Sequence, residues 1–207
     1  MIPPQKVFLV DDEPALLRAL SRLLRAEGFE VTPFTNATDF LKAHDPDAPG
    51  CLVLDVSMPI MTGLELHQHL IEAGSNLAII FLTGNGDIPM SVRAIKAGAV
   101  DFLTKPVKDS ELIGAIRLGI KKTHENRSTQ NEIASLKNRL KLLTTREQEV
   151  FLHVVKGEPN KQIASTLGIT EQTVKVHRGR VMHKMGVDSL AQLVLIAERL
   201  GLLVSNN

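Results

Sequence analysis

The chain has 207 residues, 43% hydrophobic and 23% charged, with a net charge of +1, which suits one large or two small domains of ordinary globular composition. No apolar run approaches the roughly 20 residues a membrane helix needs, and no basic flank followed by an apolar stretch opens the sequence as a signal peptide would. The balanced total hides two unequal halves. Residues 1–122 hold 12 Lys and Arg against 15 Asp and Glu, whereas residues 123–207 hold 12 against 8, with four of the seven histidines. An acidic half joined to a basic half points to different partners, and the basic half suits nucleic acid. The lone cysteine, Cys51, heads an apolar run, can form no internal disulfide and fits a reducing compartment, by default the cytoplasm.

In chain order, four short apolar runs each end in a residue suited to phosphoryl chemistry. Val7–Val10 runs into Asp11 and Asp12, and Leu52–Leu54 into Asp55. Ala78–Leu82 runs into Thr83, and Phe102–Thr104 into Lys105 and Pro106. Helical patterns alternate with them: Glu13–Glu27 closed by Gly28, about Ala37–Ala43, about Gly63–Glu72, about Pro89–Ala97 closed by Gly98, and one from near Asp109 that buries Leu112, Ile113, Ile116 and Ile120. A fifth run, Val31–Phe34, contains Pro33, which places it at a sheet edge. This alternation predicts an α/β flavodoxin-like parallel sheet of order 2-1-3-4-5. Ligands bind at the carboxyl ends of such strands, so three carboxylates, a hydroxyl and an ammonium are expected around one crevice.

The stretch Thr123–Thr129 is polar and marks a boundary. Ile133, Leu136, Leu140 and Leu143 follow at spacings of three, four and three, fitting a linker helix that either pairs in a dimer or packs on the next domain. Beyond them the pattern is all-α. Thr144 with Glu147 forms a capping box for a helix to about Lys156. Asn160 can cap a short helix closed by Gly168, and Thr170 a longer one closed by Gly186. Ser189 with Gln192 forms a second box. Four helices with a tight Gly168-Ile169-Thr170 turn between the middle two predict a helix-turn-helix domain.

Converging carboxylates repel by roughly 4 kcal/mol per pair at about 4 Å and an effective dielectric near 20. A cation must therefore join them, and all-oxygen ligands favour Mg2+. A carboxylate beside such an ion can attack a phosphoryl group, with Lys105 and the Thr83 hydroxyl neutralising and positioning its oxygens. A cis Lys105–Pro106 bond would aim the lysine inward, although trans is the commoner state. Plainer roles exist for each residue: dipole compensation for Asp11-Asp12-Glu13, a turn cap for Asp55, a loop hydrogen bond for Thr83. All of these placements occurring together is harder to explain that way. A phosphohydrolase of the haloacid dehalogenase type needs a second aspartate where Ser57 stands. The run Gly84-Asn85-Gly86-Asp87-Ile88-Pro89 has proline where a dinucleotide fingerprint needs its third glycine. His67 and His69 lie two apart on a helix and do not share a face, which argues against a metal site.

Residues 6–122 resemble the receiver domain of two-component response regulators, on Asp11-Asp12, Asp55 with Met58-Pro59, Thr83-Gly84 and Lys105-Pro106. The resemblance implies Asp55 as phosphoacceptor, with Thr83 and Lys105 assisting. It implies a Mg2+ site of Asp12, Asp55 and the Ser57 carbonyl, with Asp11 contributing through water. Thr83 and Phe102 would form the switch pair, Phe102 lacking the hydroxyl of a tyrosine. Ser57 and Asn85 stand at positions that in the family influence phosphoryl lifetime.

The helix Glu171–Met185 carries Lys175, Arg178, Arg180 and Lys184 with His177 and His183, as a major-groove reader requires. Charge and caps alone leave a protein-binding helix open. Leu143–Glu147, Asn160–Ala164, Thr173–Arg178 and Val181-Met182 with Lys184-Met185 are similar to the LuxR-type helix-turn-helix. Together the two domains resemble the NarL/FixJ response regulators, in particular their FixJ-like branch. By position, Lys175 and Val176 would face bases, with Lys161, Thr173, His177 and Lys184 nearer the phosphates and Arg178 in the same DNA-binding motif. Thr145 departs from the proline common at its position, and Gly179 stands where some relatives place a base-contacting lysine. An acyl-homoserine-lactone receptor shares the second domain, but its ligand domain would want the tryptophan and tyrosine this chain lacks.

The expected organisation is thus a receiver over residues 1–122, a helical linker over 123–143 and a DNA-binding domain over 144–207. The expected partners are a sensor histidine kinase, double-stranded promoter DNA and a second copy once phosphorylated, the dimer face falling at about Pro89–Lys105. No turnover enzyme is expected. The alternative keeps DNA binding but makes the receiver an interaction module indifferent to phosphorylation.

Overall fold

The structure, a computed structural model of the chain, describes residues 5–84 and 88–203. Two compact units are present, Met1–Arg127 and Ser128–Asn207.

In the first unit, strands β1 (Lys6–Val10), β2 (Glu30–Phe34), β3 (Cys51–Asp55), β4 (Ala78–Thr83) and β5 (Asp101–Thr104) form a parallel sheet of order β2-β1-β3-β4-β5. Every residue of β3 and β4 is buried, as central strands covered on both faces must be. Pro33, which has no N–H for a ladder, lies in the edge strand β2. Helix α1 (Pro14–Ala26) opens with proline at its first turn, where no donor is missed, and buries Leu17, Leu20 and Leu24 against one face of the sheet. The start of α5 (Asp109–Lys141) covers the same face with Leu112, Ile116 and Ile120. Helices α2 (Ala37–Ala43), α3 (Gly63–Glu72) and α4 (Ile88–Lys96) cover the other face. There Phe40 packs edge-on to Phe8 and Phe34, at ring separations of 5.7 and 5.4 Å. A fully buried phenylalanine of this kind costs about 3–5 kcal/mol when cut to alanine. Strand order and register bring Asp11, Asp55, Thr83 and Lys105 to one end of the sheet, with Asp55 paired to Leu82 and Thr83 to Thr104.

Helix α5 is unbroken through the polar stretch 123–129 and on to Lys141. Residues 120–156 include neither Gly nor Pro, so nothing in the backbone stops the helix and the compositional change is not a break.

The second unit packs α6 (Thr145–Val155), α7 (Asn160–Leu167), α8 (Glu171–Met185) and α9 (Leu190–Arg199) around Val150, Phe151, Ile163, Val174, Met185 and Leu193. Leu143 belongs to that core and Leu140 packs on it. Both halves of the Thr144–Glu147 capping box form. Two expected caps differ. Pro159, not Asn160, ends the backbone before α7, its carbonyl accepting from the Gln162 and Ile163 N–H groups. The Asn160 side-chain oxygen instead accepts from Arg178 at 2.6 Å. At α9 the Ser189 hydroxyl accepts from the Gln192 N–H, but the Gln192 side chain returns to the Asp188 N–H, one residue earlier than a box requires. Gly168 and Gly186 close α7 and α8 at φ 64° and 67°, a region that glycine enters without a Cβ clash.

Candidate functional site

Asp11 follows β1 and Asp55 ends β3, and their carboxyl groups are 3% and 4% exposed residues meeting at one ammonium. Lys105 Nζ lies 2.7 Å from Asp11 Oδ2 and 2.7 Å from Asp55 Oδ1. Each carboxylate has its other oxygen committed to a backbone donor. Asp11 Oδ1 accepts from the Glu13 N–H at 2.8 Å, and Asp55 Oδ2 from the Ser57 N–H at 2.7 Å. Burial works against the Lys105 charge, but hydrogen bonds and charge from Asp11 and Asp55 outweigh it, so its pKa stands above the ordinary lysine value. Lys105 also lies 3.9 Å from the exposed Glu13. The lysine is itself held by its own N–H, which donates to the Thr83 carbonyl at 2.7 Å, and it precedes a cis proline bond.

Thr83 is buried at the end of β4. Phe102, half-buried on β5, lies 5.9 Å from Phe81 and packs with the layer of α2, α3 and α4. Asp12 and Ser57 are exposed, and no side-chain partner holds Asp12 among the described residues. Asn85 lies outside the described residues. His67 is buried edge-on to Phe81, burial lowering its pKa, while His69 is exposed.

Two buried carboxylates around one ammonium leave an uncompensated negative charge, before Asp12 and Glu13 are counted. Among the described residues no three acidic, histidine or cysteine side chains surround a common metal position. Lys105 stands between Asp11 and Asp55 instead. The donor set, oxygen only and net negative, fits a hard divalent ion.

Two features of the connection from β3 to α3 escaped the sequence reading. Gly63 opens α3 against the Asp55 backbone: a Cβ there would lie 2.2 Å from the Asp55 carbonyl oxygen. The Thr62–Glu65 capping box that fixes this helix start is a signal the sequence carried. Ile60, 98% exposed at φ 70°, is a β-branched residue in a left-handed conformation, which no sequence pattern announces.

In the second unit, α8 divides lengthwise. Val174, Val181 and Met185 face the core. Arg178 is tied to Asn160, and Lys184 Nζ lies 2.6 Å from Glu147 Oε2 and 3.1 Å from the Leu142 carbonyl. The exposed row is Gln172, Lys175, Val176, Gly179, Arg180 and His183, recurring at three- and four-residue steps. Thr173 and His177 flank it, half-buried, and Lys161 is exposed on α7. Arg180 and His183 therefore share the face of Lys175, a placement that their spacing already encoded. Arg139 donates to the Met185 carbonyl at 3.0 Å, so a cation sits at the α8 C-terminus, where the helix dipole favours one.

Residues 7–117 match the response regulator receiver domain family, and residues 141–197 the luxR family of bacterial regulatory proteins. The chain is 48% identical over 194 residues to response regulator protein TodT of Pseudomonas putida, covering 94% of this chain and 86% of that one. It is 42% identical over 192 residues to transcriptional regulatory protein FixJ of Rhizobium meliloti strain 1021, covering 92% and 94%. A low-resolution structure of the response regulator StyR aligns with a TM-score of 0.85 at 45% identity, covering 95% of this chain and 99% of that one. Full-length FixJ from B. japonicum aligns at 0.59 and 36% identity, covering 97% and 98%.

Proposed function

Because the chain belongs to the transcriptional response regulators that join a receiver to a LuxR-type DNA-binding domain, we propose that Asp55 is its phosphoacceptor and that phosphorylation there controls DNA binding. The arrangement of Lys105 carries this reading: one ammonium, 2.7 Å from Asp11 and from Asp55, holds the nucleophile at the mouth of a negative site. Asp55 Oδ2 is fixed by the Ser57 N–H, which leaves Oδ1, held by a side chain able to turn, as the attacking atom. Its bond to phosphorus forms as the bond from phosphorus to the imidazole nitrogen of a sensor kinase breaks, the leaving imidazole keeping the electron pair. Lys105 then follows the charge onto a phosphoryl oxygen, and the Thr83 hydroxyl donates to another. Mg2+, held by Asp12, Asp55 and the Ser57 carbonyl with Asp11 through water, would neutralise the incoming oxygens. Movement of Thr83 frees space at Phe102, so the two act as the switch pair.

We assign residues 1–122 to the receiver, 123–143 to the helical linker and 144–207 to the DNA-binding domain. Lys175 and Val176 reach base edges from the exposed row of α8, while Lys161, Thr173 and His177 meet phosphates. Arg178 and Lys184, both near that surface, act chiefly through the internal bonds that set the pose of α8. The phosphorylated form pairs through the Pro89–Lys105 region, where Ile88, Val92 and Ile95 leave an exposed apolar stripe on α4. Among the described residues no helix is long and apolar enough to cross a membrane, in keeping with a cytoplasmic address. The protein turns over no external substrate beyond slow loss of its own phosphoryl group.

Incubation with Mg2+ and acetyl phosphate, followed by phosphate-affinity electrophoresis, tests the reading. The wild type should be retarded only when Mg2+ is present, and Asp55→Asn not at all. Equal labelling of the two proteins refutes Asp55. Labelling without any change in DNA affinity favours the receiver as an interaction module indifferent to phosphorylation.

A further inference from the structure

A cavity of about 460 Å³ lies between α1 and the edge strand β2, within the range of small-ligand sites. Pro14, Leu17 and Pro33 give it an apolar lining. Arg18, Arg22 and Arg25, at successive steps of four and three on α1, bring three guanidinium groups to the same cavity. None of the three makes an ion pair among the described residues. Arg25 donates to the Val31 carbonyl at 3.0 Å and so braces the wall, whereas Arg18 and Arg22 hold no partner there. Ser21, 5% exposed, also lines the cavity, and its hydroxyl has no hydrogen-bond partner among the described residues. Buried hydroxyls are nearly always satisfied, and no protein group among the described residues takes this one, so it is open to a partner from the cavity side.

We infer that the cavity between α1 and β2 binds a small organic anion, its apolar body on Leu17, Pro14 and Pro33 and its carboxylate or phosphate on Arg18 and Arg22. Guanidinium forks match both anionic groups in bidentate fashion. The apolar lining selects a ligand with a ring or branched chain over a bare ion. A rotation of the Ser21 side chain supplies one further donor. An added peptide strand fits less well, because Pro33 gives the β2 edge no N–H at the cavity. The site lies apart from Lys105, but Pro14 and Thr35 at its rim adjoin the Asp11–Glu13 segment, whose Asp11 N–H bonds to the Phe34 carbonyl at 3.2 Å.

The full-length protein is titrated by calorimetry and by amide chemical shifts with acetate, benzoate, 2-naphthoate and phenyl phosphate, against neutral benzamide and inorganic phosphate. Benzoate, naphthoate or phenyl phosphate should bind saturably and shift Arg18, Ser21 and Thr35, with benzamide and inorganic phosphate inert. Arg18→Gln combined with Arg22→Gln, both exposed positions, should weaken that binding at least about tenfold, the loss of one charge-assisted bond or more. Tighter binding of the carboxylate or of the phosphate identifies the preferred anion. The proposal is overturned if no aromatic anion saturates at about 10 mM, well past the affinity so small a ligand should reach. Binding that the double variant leaves unchanged, or shifts confined to other residues, overturns it equally.

Discussion

Lys184 on α8 and Glu147 on α6 meet at 2.6 Å, with Glu147 almost wholly buried. The hydrogen bond from Lys184, then the Thr144 N–H, holds the Glu147 pKa at about 2 against an ordinary 4.5. A depressed carboxylate stabilises the fold fully above its unfolded value and loses that contribution as the pH falls through its folded value. The second unit should therefore weaken between pH 4.5 and about 2. Glu147→Gln should remove that pH dependence and cost about 3 kcal/mol at neutral pH, as breaking a buried pair does. Denaturant unfolding followed by circular dichroism measures both. An unchanged acid limb in the variant would show that other groups dominate.

Lys105 occupies, with a single charge, the place between Asp11 and Asp55 that a divalent ion would strengthen. Lys105→Gln should therefore raise Mg2+ affinity, by about fivefold if roughly 1 kcal/mol of repulsion is relieved. The same change should slow phosphorylation of Asp55, because no ammonium remains to meet the phosphoryl oxygen. The chain has neither Trp nor Tyr, so calorimetry rather than intrinsic fluorescence is the readout. Equal or weaker Mg2+ binding would mean that lysine and ion do not compete.

Gly63 and Gly114 should respond to alanine with opposite signs. At Gly63 the new Cβ would meet the Asp55 carbonyl oxygen at 2.2 Å, so α3 or the end of β3 must move. A loss of about 1–3 kcal/mol and slower phosphorylation are expected. At Gly114, inside α5, a Cβ meets nothing within 4 Å, and alanine should add up to about 1 kcal/mol. Thermal unfolding of the two variants makes the comparison.

On α8 and α7, Lys175 and Lys161 should separate sequence reading from charge. Lys175→Ala should cost about 1–3 kcal/mol at a cognate site and relax preference for one base pair. Lys161→Ala should weaken all sequences alike and flatten the salt dependence by about 0.9 in log–log slope. Band-shift titrations at several salt concentrations distinguish them, and the opposite pattern would exchange the two roles.

Val92, on the exposed stripe of α4 between Ile88 and Ile95, should be dispensable for the monomer. Val92→Asp should leave unfolding unchanged within about 0.5 kcal/mol, as surface changes do. It should also abolish phosphate-dependent dimers in sedimentation. Dimers that persist would place the pairing face elsewhere.

The sheet order and the meeting of Asp11, Asp55, Thr83 and Lys105 were legible because apolar runs and their terminal residues are local patterns, and a parallel sheet aligns strand ends. Ranges for α2 and α3 were readable to the residue. What escaped depends on three-dimensional neighbours. Asn160 reads as a cap until Arg178, eighteen residues later, takes its oxygen. Lys184 reads as a residue nearer the phosphates, and nothing local in the sequence signals that α6 brings Glu147 beneath it. The two units divide within the polar run at 123–129, but that α5 passes through it unbroken is not legible from composition alone.

The lengthwise division of α8 separates what holds the helix from what it displays. Val174, Val181 and Met185, with Arg178 and Lys184, set its pose from the inner side, while Gln172, Lys175, Val176, Gly179, Arg180 and His183 make no contribution to the packed core. The outer row can therefore be rewritten at little expense to folding. Duplicated regulators of this build could drift to new target sequences through a few surface changes, each selectable by itself, while the scaffold beneath stays under strict constraint.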